Sequence, residues 1–340
     1  MKKKLFWIIV AMMIAVVTWA QTGDKKNEEK VTRLKNKLEA KIDYYNKNVS
    51  TMSPRAHELC LQGIGDLIES IRKYEPNFMR STDDPDFVKP SDDPAFVKPT
   101  DKIFTVQGVS FKMIKVEGGT FQMGATSEQG GDVFNDEKPV HSVTLSDYHI
   151  GQTEVTQALW QAVMGGLPTD FNVSPYDVKG SQRPICYVSW EDCEQFIRKL
   201  SAITGVKFRF PTEAEWEFAA RGGKESRGYK YSGSNESNTV AWCGENSNDR
   251  SHNVGTKSAN ELGLYDMSGN VSEWCEDWYL KNYYKYSRQN NPTGPPSGSR
   301  CVTRGGSWDV SEFGASVSRR GSFIPSYGNY GIGLRLVLSE

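Results

Sequence analysis

The sequence predicts a body of short strands, a few capped helices and long ordered loops over residues 108–340, preceded by a helical hairpin and a repeat linker. Three observations carry this. Short strand-like runs, SFKMIKVEGGTFQMG and HSVTL among them, alternate with a few helix signatures. Beyond Gly222 the chain is mostly Gly, Asn, Ser and Tyr, the composition of ordered loops rather than repetitive structure. Finally, 31 glycines accompany 11% aromatic residues. Rings supply burial, and glycines permit the tight turns that such loops need.

Taken in order, residues 1–20 have the features of a signal peptide. Lys2, Lys3 and Lys4 precede an apolar run from Leu5 to Val17, and Thr18 and Ala20 stand at the −3 and −1 positions of a cleavage site before Gln21. The run is shorter than the roughly 20 residues that span a bilayer. No cysteine follows it to accept a lipid, so the expectation is an exported protein, periplasmic or on the cell surface, soluble after processing and not a lipoprotein. Residues 21–78 read as a helical hairpin. Val31, Leu34, Leu38, Ile42 and Tyr45 form one amphipathic stripe, and Ser53-Pro54 opens a second helix along Leu59, Ile64, Leu67, Ile68 and Ile71. Residues 79–107 form a linker built on a repeat, TDDPDFVKP at 82–90 and SDDPAFVKP at 91–99. Recurring Pro and paired Asp exclude a helix or a central strand.

Within the body, Ser189 precedes a helix whose Cys193, Phe196, Ile197 and Leu200 share a face and which Gly205 ends. Thr212 and Glu215 form a capping box ahead of Trp216 and Ala219, with Gly222 closing that helix. The 41 basic and 42 acidic residues nearly balance and the basic ones do not cluster, so nucleic acid is not an expected partner. The six cysteines, at 60, 186, 193, 243, 275 and 301, include no CxxC pair. Export permits disulfides, but spacing assigns no partners.

The motifs VEGGTFQMG (116–124), EKPVHSVTL (137–145), TEVTQALW (153–160) and VSWEDCEQF (188–196) are followed by FRFPTEAEWEFAARGG (208–223), LGLYDMSGNVSEWCEDWY (262–279), RGGSW (304–308) and GIGLRLVLS (331–339). In this order and spacing they resemble the sulfatase-modifying-factor family, which includes the formylglycine-generating enzyme. The resemblance implies an α+β, irregular, loop-rich fold related to C-type lectins. It also implies a chemistry, oxidation of a sulfatase cysteine to an aldehyde by molecular oxygen at a copper(I) ion held by two cysteines soon after RGGS. Here those positions fall at Val310 and Ala315, neither of which can supply a soft thiolate. Copper is therefore not expected, and the other cysteines fall on different motifs, Cys275 after SEW and Cys301 before RGGSW. The iron-dependent sulfoxide synthases of the same superfamily use several histidines from an added helical domain. This chain has only His57, His141, His149 and His252, and only His57 lies in the helical segment.

A cation site is also implied. Asp266, Gly269, Val271 and Glu273 match the family's second calcium loop, two carboxylates binding through side chains and Gly and Val through carbonyls, a hard oxygen set that suits calcium. The alternative is a packed loop whose acids satisfy backbone amides. The family's first calcium loop falls at Asn238-Thr239, with Asp249 a further contributor, although CGENSNDRSHNVG departs from the pattern. Three functions compete: a non-catalytic module binding a protein or glycan outside the cytoplasm, a subunit scaffolding a cell-envelope assembly, and a formylglycine-type oxidase with a displaced metal site. For the first, Trp308, Phe313, Phe323, Tyr327 and Tyr330, set among Gly and Ser, form a candidate binding face. Each ring has core or rim packing as its alternative.

Overall fold

The computed structural model describes residues 32–38, 40–41, 101–131, 133–168 and 179–339. The chain divides into two units, Met1–Pro90 and Ser91–Glu340. In the first, residues 32–38 and 40–41 are helical, where the apolar stripe predicts a helix, and Leu38 is buried. The signal peptide, the remainder of the hairpin and both repeats lie outside the described residues. In the described helices none is long and apolar enough to cross a membrane.

The second unit begins earlier than the linker boundary at 107 predicts. Lys102–Val106 is strand β1, which pairs antiparallel with β2, Val109–Val116. The two-residue turn has Gln107 at φ 47° and Gly108 at φ 81°, the left-handed pair of a tight hairpin. Phe104 draws the strand into the fold, stacking on Phe111 at 5.5 Å and meeting Phe208 edge-on at 5.1 Å. Two further short strands are β3, Thr120–Met123, and β4, His141–Thr144, which pair with each other in the runs that predict them. β5, Tyr148–Gly151, joins a five-stranded sheet in the order β1-β2-β5-β11-β6, where β6 is Phe208–Arg209 and β11 is Val337–Ser339. A four-stranded sheet has the order β10-β7-β8-β9, from β7 Ser272–Trp278, β8 Cys301–Arg304, β9 Arg320–Phe323 and β10 Ile332–Gly333. The α+β, loop-rich class is what the structure has.

Three helices pack against these sheets. α1, Gln157–Met164, is capped by Thr156 within the TEVTQALW motif and stops at Gly165, φ 88°. α2, Trp190–Thr204, has the cap at Ser189, with a reciprocal bond from Asp192, and ends at Gly205 in the left-handed conformation. Its face of Cys193, Phe196, Ile197 and Leu200 is buried as its spacing predicts, with Phe196 stacked on Trp160 at 4.9 Å. α3, Glu213–Ala220, has the predicted capping box. Glu215 N–H donates to Thr212 Oγ1 at 3.2 Å, and Thr212 N–H donates to Glu215 Oε2 at 2.9 Å. From 223 to 271 the only α-helix is α4, the single turn Ser237–Val240, beside a 3-10 turn at Gly223–Glu225, so this stretch is the ordered loop region that its composition predicts.

Helix α3 departs from ordinary amphipathicity, because all eight of its residues are buried. Three are glutamates, and each has a cationic partner. Glu213 accepts from Arg320 at 2.6 and 2.8 Å and from Arg304 at 3.3 Å. Glu217 accepts from Arg304 Nη2 at 2.6 Å and from Arg221 Nε at 2.9 Å. Glu215 takes both Arg209 Nη groups, at 2.6 and 2.7 Å. Burial pushes the Glu213 carboxyl up, and Arg320 and Arg304 more than reverse this, leaving it below the usual glutamate value. Arg304 is itself fully buried, donating also to Val317 O at 2.7 Å and lying 5.1 Å from the Trp216 ring centre.

Truncating one partner of a buried pair strands a charge at about 3–5 kcal/mol, whereas an exposed pair contributes about 0–1. Arg304→Met is thus expected to lose about 3–5 kcal/mol in urea unfolding. Arg198→Gln, which breaks only the exposed 3.5 Å pair with Glu194, is expected to stay within about 0.5 kcal/mol of wild type. Equal losses would show that the buried lattice does not hold α3.

Candidate functional site

The loop joining Tyr265 to β7 is shaped by three left-handed residues: Asp266 at φ 57°, Gly269 at φ 80° and Asn270 at φ 62°. Gly269 is obligatory, since a Cβ there would lie 2.2 Å from Trp242 O. The loop is tied on several sides. Gly269 N–H donates to Gly305 O, Asn270 N–H to Trp242 O and Trp308 N–H to Asn270 O. It therefore bridges the RGGSW motif and the 242 loop.

Within it, the four matched residues divide. Asp266 is buried, and its Oδ2 accepts from Gly255 N–H at 2.7 Å while Oδ1 has no hydrogen-bond partner. Burial raises its pKa to about 6. Glu273 is instead committed to Arg335, which donates through Nε at 2.9 Å to each oxygen and through Nη2 at 2.7 Å, while Trp216 Nε1 adds a bond at 2.6 Å. Val271 N–H donates to Glu154 Oε1 at 3.1 Å, and Asn270 Nδ2 to Glu154 Oε2 at 2.9 Å. Burial pushes the Glu154 carboxyl well up, and Asp266 and Glu273 push it further. Three buried acids thus interact with a single guanidinium. Arg335 also holds Gly151 O and Tyr265 O, each at 2.8 Å. With Glu273 paired to Arg335 and Glu154 pushed toward its neutral form, the oxygen left without a partner is Asp266 Oδ1. Glu154 and Arg335 lie in the quoted TEVT and GLRL motifs, but nothing in the one-dimensional pattern pairs residues 62 and more positions apart. Among the described residues no three His, Cys, Asp or Glu side chains form a metal-holding group, so a cation here rests on Asp266 and on carbonyl oxygens.

Asn238 and Thr239 lie in α4, with their oxygens engaged by Lys257, Asn246 and Ser258, and Asp249 is exposed at φ 55°. The histidines are dispersed. His141 starts β4 with its ring 4.6 Å from Tyr284 at a tilt of 50°, His149 lies in β5, and His252 stacks on Trp242. His57 lies outside the described residues.

Val310 precedes, and Ala315 ends, a 3-10 turn over Glu312–Ala315. Val310 O accepts from Gly244 N–H at 2.7 Å, and Ala315 is buried with Tyr231, Val240 and Ala241. All five described cysteines are buried, and Cys193, Cys243, Cys275 and Cys301 are free thiols. Burial raises the thiols of Cys193 and Cys275 well above the ordinary value, Cys243 to about 11 and Cys301 to about 12. Such thiols stay protonated at neutral pH and make poor metal ligands or nucleophiles.

The candidate binding face resolves into three groups. Trp308 is buried, 5.2 Å from Tyr330. Phe323 stacks on the half-exposed Tyr327 at 5.2 Å and sits under Arg300. Phe313 lies elsewhere, 5.6 Å from Phe134, with Arg319 over both rings. None of the five lines the cleft of about 890 Å³ that opens between α2 and the 276–301 segment, walled by Trp190, Phe210, Trp278, Tyr283 and Arg288.

The family model for sulfatase-modifying factor enzyme 1-like domains matches residues 104–340. The chain is 32% identical over 282 residues to a chaperone protein LppX of Paenibacillus barcinonensis, covering 68% of this chain and 91% of that one. It is 30% identical over 252 residues to a formylglycine-generating enzyme of Streptomyces coelicolor, covering 57% and 78%. Among solved structures, Treponema denticola variable protein 1 superposes with a TM-score of 0.63 at 35% identity, over 72% of this chain and 100% of its own. PvdO from Pseudomonas aeruginosa, at 24% identity and a TM-score of 0.60 over 70% of this chain and 98% of its own, shares the fold.

Because Glu273 neutralises Arg335 directly, Glu273→Ala is expected to cost about 3–5 kcal/mol in chelator as well as in calcium. Thermal melts under both conditions check this, and a loss seen only with calcium would mean that the ion pair holds nothing.

Proposed function

This chain belongs to the sulfatase-modifying factor enzyme 1-like family, and on that premise we propose that it is a non-catalytic member that works outside the cytoplasm, binding a protein or glycan partner or scaffolding a cell-envelope assembly. The observation that carries this reading is the pair Val310 and Ala315 at the positions where the family's copper cysteines fall. The oxidation needs a copper(I) ion held by soft thiolates, and a valine and a buried alanine offer none. The rival, an oxidase with a displaced site, needs other thiols to serve. Cys275 and Cys301 are buried and held protonated, which supports the non-catalytic reading.

The relative named a chaperone favours a polypeptide partner over a glycan. A partner would meet the exposed Ile324 and Tyr327 beside β9, and Phe134 with Phe313 under Arg319, rather than the buried Trp308. Rigid rings with an adjacent guanidinium are the side chains that carry most binding energy at interfaces. Export is part of the same proposal and rests on Lys2–Lys4, the apolar run and the Ala20-Gln21 junction.

We also propose that the Asp266 loop holds a structural calcium ion. Asp266 Oδ1 and the carbonyls of Gly269 and Val271 would hold it, while Glu273, committed to Arg335 and Trp216, would fix the loop that presents them. Its role is to neutralise buried negative charge and fix the loop that carries the RGGSW contacts.

Two measurements test these readings. Incubated with copper(I), oxygen and a sulfatase-type peptide, the protein is expected to leave the peptide cysteine unmodified, and formylglycine seen by mass spectrometry would sink the non-catalytic reading. Calcium at about a hundred times its Kd adds about 2.7 kcal/mol to a protein that binds it only when folded. Wild type is expected to melt higher in calcium than in chelator, and Asp266→Asn to lose that increment. A wild type indifferent to calcium would leave the loop as packing alone.

A further inference from the structure

The segment 238–258 holds an arrangement that the calcium loop at Asp266 does not explain. Oxygens of Asn238 and Thr239, where the resemblance places the family's first calcium loop, are engaged by this chain's own donors. Lys257 Nζ donates to Asn238 O at 2.6 Å, Asn246 Nδ2 to Asn238 Oδ1 at 2.9 Å, and Ser258 N–H to Thr239 O at 3.1 Å. Asn246 Nδ2 is further tied to Ala241 O at 3.0 Å, and its Oδ1 accepts from Cys243 N–H at 3.0 Å, so its amide is fixed with the donor end toward Asn238. The Lys257 ammonium lies 4.0 Å from the centre of the Trp242 ring, and the His252 ring stacks on the same indole at 3.7 Å and 11°. Trp242 is oriented in turn by its Nε1 bond to Thr256 Oγ1, 2.9 Å, and Thr256 is the residue before Lys257. Of the segment's two acids, Glu245 accepts from Glu312 N–H at 3.0 Å, and Asp249 stands exposed on a left-handed turn.

We propose that the Lys257 ammonium takes the place of the divalent cation at this loop, so that residues 238–258 are closed by an internal cation and take up no calcium. The chemistry is that of a cation shared between a carbonyl dipole and a ring face. An ammonium is a compact point charge with three donors, and an indole face attracts it. One covalently attached cation therefore ties α4 to the 253–258 turn. A calcium ion offered to the same carbonyl meets a resident positive charge and an oxygen set short of what it requires. Lysine at 257 thereby makes the loop independent of external ion concentration. The Trp242 carbonyl, which accepts from Asn270 N–H, passes this order on to the Asp266 loop.

Calorimetric counting of bound calcium and thermal melts of the full chain test this. Lys257→Met is expected to melt about 3 °C lower in calcium and in chelator alike, with Lys257→Arg recovering part of the loss. Asp249→Asn is expected to leave the number of bound calcium ions unchanged. A calcium ion lost on Asp249→Asn, or a Lys257→Met melt identical to wild type, would overturn the inference. A wild type that binds no calcium leaves it standing and removes only the proposal at Asp266.

Discussion

A carboxylate taken out of water must meet a cation or a proton, and that constraint governs this fold more than any sheet does. Helix α3 carries three buried glutamates in eight residues. Through Arg304 and Arg320 they reach strands β8 and β9, and through Arg221 they reach Gly124 O, Thr126 and Glu128. Glu273 and Arg335 do the same between β7 and the chain before β11. In a domain with two-residue strands and long loops, backbone ladders cannot supply such ties. Replacing a buried ion pair by apolar groups of equal volume is often neutral for stability, so the benefit of the lattice is positional. Each guanidinium accepts only one arrangement of carbonyls and carboxylates around it, which selects one path for loops that hydrophobic burial alone would leave interchangeable.

This arrangement also separates scaffold from chemistry. None of the lattice residues stands at 310 or 315, so valine and alanine can occupy those positions while α3, β8 and β9 keep their partners. Fold and activity are carried by different residues, and the family fold by itself licenses no reaction. The thiols follow the same division. Cys193 and Cys275 sit in the two hydrophobic cores beside Phe196 and Trp216, where they pack as small apolar groups.

What the sequence disclosed was local. Ser189 with Asp192 and Thr212 with Glu215 are three-residue signatures, legible because donor and acceptor lie within one turn. The strands β2, β3 and β4 and the loop-rich stretch beyond Gly222 are legible from alternation and composition. Strand β1 escapes notice because Lys102–Val106 follows a Pro- and Asp-rich repeat and reads as its continuation, and its reason to pair is Phe208, a hundred residues away. The Asp266 loop is legible as a motif, while Glu154 as its neighbour is not. That contact spans 117 positions. The candidate binding face sorts into separate ring pairs for a related reason. Proximity in sequence from Trp308 to Tyr330 says nothing of which rings turn inward, and Trp308 turns inward to pack on Tyr330 and Val271.

The buried thiols of Cys193, Cys243, Cys275 and Cys301 have a consequence for how such a chain is made. In an oxidising compartment a thiol is safe from disulfide exchange only while it is inaccessible and protonated. The native structure meets both conditions, whereas in an emerging chain the thiols are exposed and a few per cent of each is thiolate. Burial here acts as a protecting group installed by folding itself. A chain that passes through an oxidising compartment unfolded must therefore close its cores faster than its cysteines can pair wrongly, and any opening that bares Cys193 or Cys275 puts the molecule back into that race.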